Sequence, residues 1–138
     1  VKAVVSLSAP TNFVSLMPIV EAPEYPSVEF ATSVKQAVGE ESGITTPAAR
    51  AAVSTNEQNA YEAANSPALN VTAKDCAPTL LFNSENEVVP RAQAEELNAA
   101  QRHVGCSSSL DLVPGAHHAF AYWDKVAPAV ISFLHAHT

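Results

Sequence analysis

Three short stretches of this chain carry side chains that could move a proton or attack a carbonyl. Ser6 and Ser8 close the run Val4-Val5-Ser6-Leu7-Ser8. Ser84, Glu85, Asn86 and Glu87 follow Thr79-Leu80-Leu81-Phe82-Asn83. His117 and His118 follow Leu110-Asp111-Leu112-Val113 and the turn Pro114-Gly115-Ala116. Hydroxyl, carboxylate and imidazole together suit nucleophilic acyl chemistry. A serine hydroxyl is a poor nucleophile until a base takes its proton, and a carboxylate holds the base imidazole in the right tautomer. Each group stands just after a strand-like run, so what matters is whether those runs lie side by side.

The hydrophobic pattern says that they do. Residues 1–7 are nearly continuous apolar and read as a buried strand. Residues 79–83 and 110–113 read as two more. Residues 90–104 have helical spacing through Ala94, Leu97 and Val104, and Gly105 ends them. Residues 123–135 repeat that spacing through Val126, Val130, Phe133 and Leu134. Between the first two strands, residues 13–27 are expected to be irregular, with prolines at 18, 23 and 26. Residues 28–38 are expected as a helix capped by Ser27 and stopped by Gly39. Shorter helices are expected over 47–53, opened by Thr46 and Pro47, and over 56–64, with Ser54 or Thr55 before it. These helices look like a small cap insertion over residues 14–65 of a single domain. Strands alternating with helices imply an α/β fold, three-layered, with a mostly parallel sheet. Functional groups then gather at the carboxyl ends of the strands.

Composition narrows the partners. A chain of 138 residues is one domain at most, and 47% hydrophobic with 15% charged residues fits a globular protein. A net charge of −7 with seven scattered Lys and Arg argues against nucleic acid. No apolar run reaches bilayer length. No signal-peptide pattern is present, and the chain opens on Val1, not Met, which suggests a start that was cut, processed or left outside the sequence.

Cys76 and Cys106 each precede a strand-like run. On neighbouring parallel strands both would lie at one sheet edge, compatible with a disulfide or with two free thiols. A bridge would imply an oxidising compartment, secreted or periplasmic. Asn70-Val71-Thr72 matches a glycosylation sequon. No metal is expected. His117 and His118 are adjacent and point poorly at one ion, and His135 and His137 sit near the terminus. With four glycines and no phosphate loop, no cofactor is expected.

The order of the pieces resembles a known family. Val4-Val5-Ser6-Leu7-Ser8-Ala9-Pro10-Thr11 looks like the strand after the nucleophile helix of many esterases. Ser66-Pro67 with Asn70-Val71 resembles the approach to the acid-bearing strand. Ala77-Pro78-Thr79-Leu80-Leu81-Phe82 with Val88-Val89-Pro90 resembles that strand and its exit. Gln93-Ala94-Glu95-Glu96-Leu97 and Pro114-Gly115-Ala116 with His118-Ala119-Phe120 complete the pattern. Together they resemble the C-terminal half of an α/β-hydrolase of the acetyl-esterase and feruloyl-esterase-like branch, related to dienelactone hydrolases and prolyl oligopeptidases. The resemblance covers most of the chain, thinly over residues 14–60.

It implies a truncated α/β-hydrolase acting on small carboxylic esters by a Ser–acid–His mechanism. His118 takes the place of the general base, and His117 that of a neighbour shaping the loop. For the acid, counting forward from Ser84 in the family's glycine place reaches Glu87. Counting back from Val89-Pro90 reaches Asn86, and Glu85 is a third choice. No Gly-x-Ser-x-Gly occurs. A nucleophile inside the chain would then be Ser8, at the exit of the first strand, or Ser84 on the acid strand. Without one, the chain is a non-catalytic remnant or one chain of a split hydrolase whose nucleophile lies on another polypeptide. The open edge of the first strand implies a homo-oligomer or a partner chain covering it. Phe13, Leu16, Met17, Tyr25 and Tyr122 are candidates both for an apolar acyl site and for core.

Overall fold

A computed structural model of the chain describes residues 1–43, 47–74 and 76–137. The elements in order are β1 (Val4–Leu7), α1 (Phe13–Glu21), α2 (Val28–Ser42), α3 (Pro47–Ala52), α4 (Thr55–Ala64), a 3-10 turn (Pro67–Leu69), β2 (Thr79–Ser84), α5 (Ala92–His103), β3 (Ser108–Val113), a second 3-10 turn (Ala119–Tyr122) and α6 (Trp123–Ala136). They form two compact units. One is Val1–Thr11 with Val71–Thr138; the other is Asn12–Asn70. No helix among the described residues is long and apolar enough to cross a membrane.

The Asn12–Asn70 unit is helical, and its first helix departs from expectation. Phe13–Glu21 is α-helical despite Pro18. Asn12 caps it, its side-chain oxygen accepting the Ser15 N–H at 3.3 Å. Phe13, Leu16, Met17 and Val20 stand at i, i+3, i+4 and i+7. Leu16, Met17 and Val20 are buried with Ala31, Val34 and Val38 of α2. An interior proline costs a helix about 3 kcal/mol, whereas each large apolar side chain buried returns about 1.5–3 kcal/mol. The stripe therefore outweighs the proline. Leu16 and Met17 are core of this unit, with Phe13 and Tyr25 packed against it.

α2 also runs further than expected. It passes through Gly39 to Ser42 and stops at Gly43, whose φ of +74° is the left-handed cap that glycine adopts freely. A glycine inside a helix costs only about 1 kcal/mol, too little to end one. α4 opens with a capping box: Ser54 Oγ accepts the Glu57 N–H at 3.3 Å, and Glu57 accepts the Ser54 N–H at 3.0 Å. The Ser54 hydroxyl and then its N–H hold the Glu57 carboxyl below its usual range. Buried Ser66 ties the start of α1 to the end of α4, accepting from Phe13 N at 2.8 Å and donating to Glu62 O at 2.6 Å. The sequon residue Asn70 donates its amide to the Ala63 and Ser66 carbonyls at 2.7 and 2.8 Å.

The other unit is a small α/β fold. Its three strands are parallel in the order β1-β2-β3. Val5 pairs with Leu80, Leu7 with Phe82 and Ser84 with Val113. Residues paired across parallel strands face the same side. Leu80, Phe82 and Val113 are buried on one face with Tyr122, Val126 and Val130, so α6 covers that face. α5 covers the opposite face. Its Gln101 donates to Thr79 Oγ1 at 3.0 Å, and its Asn98 accepts from Ser108 Oγ at 2.8 Å. Buried Gln93 at the start of α5 holds the exit of β1, accepting the Thr11 N–H at 2.9 Å. β2 and β3 reach Ser84 and Ser108, slightly beyond the apolar runs, because the ladder needs backbone groups and not side chains.

Cys76 and Cys106 are joined in a disulfide with Cα atoms 6.0 Å apart, and no described cysteine is free. The bridge lies at the amino ends of β2 and β3 and closes a sequence separation of 30 residues. A loop of that length restricts the unfolded chain by about 3–4 kcal/mol. Cys76→Ser is expected to lower the melting temperature by about 10 °C. Thermal unfolding with and without reductant checks it: the parent under reductant should melt with the variant.

Candidate active site

Parallel strands in register deliver their exits to one edge of the sheet. At that edge stand Ser8, the loop Ser84–Glu87 and the loop from Pro114 to Tyr122, all within one unit. The two loops are stitched together by backbone. Glu85 N–H donates to Val113 O and Asn86 N–H to Gly115 O, both at 3.1 Å. Gly115, at φ +108°, makes the turn that carries the chain from β3 toward the histidines. Ser84 Oγ donates to the His117 carbonyl at 2.5 Å.

This stitching brings Glu87 to His118. Glu87 Oε2 lies 2.5 Å from His118 Nδ1. The Glu87 side chain has no solvent exposure, whereas the His118 side chain is 44% exposed. Glu87 Oε1 accepts the Ser84 N–H at 2.7 Å and the Ser8 hydroxyl at 2.5 Å. A carboxylate only accepts, so a neutral imidazole in this contact carries its proton on Nδ1 and its lone pair on Nε2. Asn86 and Glu85 are exposed, and the Asn86 contribution is its backbone N–H.

The serine candidates sit on the acid side of this pair. Ser8 is buried and donates its single proton to Glu87, not to the imidazole. A nucleophile would instead hand that proton to the base. Ser84 is fully buried and ties the acid loop to the histidine loop. His117 is exposed and contributes its carbonyl. His137 is engaged elsewhere, at 2.7 Å from the Phe133 carbonyl. Among the described residues no group of three or more His, Cys, Asp and Glu is placed to hold a metal ion.

Tyr122 belongs to the cluster, which its place among acyl-site or core candidates did not foretell. Its hydroxyl is 2.7 Å from Ser8 Oγ and 3.2 Å from the Phe82 carbonyl. The chain matches no family model, no curated protein and no solved structure.

Burial pushes the Tyr122 hydroxyl above its ordinary value of 10.0; the Glu87 charge pushes the same way, and the Ser8 hydrogen bond pulls back. The folded state thus favours the neutral phenol. That contribution to stability is whole below pH 10.0 and is lost as the pH climbs through the raised folded value. Ultraviolet titration of the tyrosines is expected to show one phenol ionising late, together with alkaline unfolding, and Tyr122→Phe should remove that late step.

Proposed function

We propose that this chain carries the acid–base half of a carboxylic-ester hydrolase, a truncated α/β-hydrolase. His118 is the general base and acid, Glu87 orients it, and the nucleophilic serine comes from a Gly-x-Ser-x-Gly turn outside these 138 residues. The observation that carries this reading is the Glu87–His118 pair, a buried carboxylate against Nδ1 of an exposed imidazole at the strand exits. In the proposed reaction, His118 Nε2 takes the serine proton as its oxygen attacks the acyl carbon. The imidazolium, steadied by Glu87, then returns that proton to the departing alcohol. Water repeats the sequence to free the acid.

Two further observations support the reading. Phe120, two residues after His118 in the chain, is 78% exposed, its ring centroid 6.1 Å from that of Trp123, an exposed aromatic surface suited to an uncharged ester. β1 pairs with β2 alone among the described residues, leaving an edge on which a nucleophile-bearing strand can pair. Such a strand, from another polypeptide or another segment, would be the partner of this unit.

A serine-directed phosphonate applied to the natively isolated protein tests the proposal. The expected label is on a Gly-x-Ser-x-Gly serine outside these residues, and it is lost in His118→Ala. Absence of any label, with ester hydrolysis no faster than free imidazole, would identify the chain as a non-catalytic remnant.

A further inference from the structure

Glu87 has an arm leading away from His118 that an acid–base pair alone does not require. Its Oε1 accepts the Ser8 hydroxyl at 2.5 Å. Ser8 Oγ in turn lies 2.7 Å from the Tyr122 hydroxyl and accepts the Ala119 N–H at 3.1 Å. Ser8 has φ +53° and Ala119 φ +46°, and among the described residues these two alone are non-glycines in the left-handed region. That backbone is unfavourable for any residue with a Cβ. It persists where the surroundings over-determine it, typically at working sites. Here both strained residues meet at one hydroxyl oxygen.

We propose that Ser8 and Tyr122 are positioning residues that act through Glu87 on His118. The inference rests on the reading of His118 as a base. Ser8 O–H and Ser84 N–H together occupy Oε1, which fixes the carboxylate plane and leaves Oε2 for His118. Tyr122 braces the serine from the core. Its own hydroxyl is anchored at the Phe82 carbonyl of β2. The Ala119 N–H, one residue past His118, ties the backbone beside the base to the same oxygen. One hydroxyl thereby sets both the acid and the loop bearing the base. The proton that Ser8 would need to surrender as a nucleophile is the one held by Glu87.

The test is proton NMR of the histidine-labelled protein, with hydrolysis of p-nitrophenyl acetate as a second readout. The His118 Nδ1–H, held in a short bond to a buried carboxylate, should give a far-downfield resonance in the parent. Ser8→Gly removes the hydroxyl while relieving the left-handed strain, so the fold is kept. Tyr122→Phe keeps the ring. In both variants the resonance is expected to broaden into solvent exchange, and kcat should fall about tenfold with KM unchanged. An unchanged resonance in folded Ser8→Gly overturns the proposal, and so does phosphonate labelling of Ser8. A resonance that broadens in both variants, while the natively isolated protein shows neither phosphonate labelling nor hydrolysis, upholds the positioning role and overturns the esterase reading alone.

Discussion

In the natively isolated protein, which carries the nucleophile, Glu87→Gln is expected to lower kcat/KM for a short p-nitrophenyl ester by about 10⁴-fold. Glutamine keeps the length and volume of the side chain. Its carbonyl can still accept from Ser8 and Ser84, as Glu87 Oε1 does. The amide NH2 then falls where Oε2 now faces Nδ1 at 2.5 Å. Two donors cannot share that space, so the imidazole must move its proton to Nε2 or turn away. Either change removes the lone pair needed as the base. The developing imidazolium also loses the counter-charge of Glu87, whose side chain has no solvent exposure. Asn86→Ala is the control. Its side chain is exposed and its backbone bond to Gly115 survives, so its rate should stay within about twofold of the parent. The reverse ranking would show that Asn86 is the orienting group.

His118→Ala is expected to cost more still, about 10⁴- to 10⁶-fold in kcat, because base and acid are removed together. The exposed ring leaves little cavity, so circular dichroism should be unchanged. Glu87 Oε1 retains its Ser8 and Ser84 donors, while Oε2 loses its partner and opens to the space the ring leaves. A residue that acts only through another adds nothing once that other is gone. The double variant Glu87→Gln, His118→Ala should therefore be no slower than His118→Ala alone. Multiplied losses would mean that Glu87 touches the reaction by a second route.

The sheet was the most legible part of the fold. Parallel strands buried on both faces are written as continuous apolar runs, and Thr79-Leu80-Leu81-Phe82 is of that kind. The helical unit was less legible because punctuation competes with periodicity. Pro18 masked the stripe of Phe13, Leu16, Met17 and Val20, and Gly39 looked like a stop when the left-handed residue is Gly43. At the site, counting forward from the end of β2 reaches the carboxylate that meets His118. Counting back from Val89-Pro90 reaches Asn86, because loop length is fixed less firmly than strand geometry. The placements of Ser8 and Tyr122 left no local signature. A buried tyrosine is spelled like any core residue. The Ser8 hydroxyl meets Glu87 through a left-handed backbone that sequence patterns do not encode.

In the proposed pair, Glu87 holds the His118 proton on Nδ1, leaving Nε2 as the base. Nitrogen-15 NMR of the imidazole in the intact chain, followed across pH and read where the ring is neutral, measures this directly. A protonated Nδ1 and an unprotonated Nε2 are expected for the neutral His118 ring, with that preference lost in Glu87→Gln. A His118 protonated on Nε2, or a tautomer mixture like that of free imidazole and indifferent to Glu87→Gln, would contradict it.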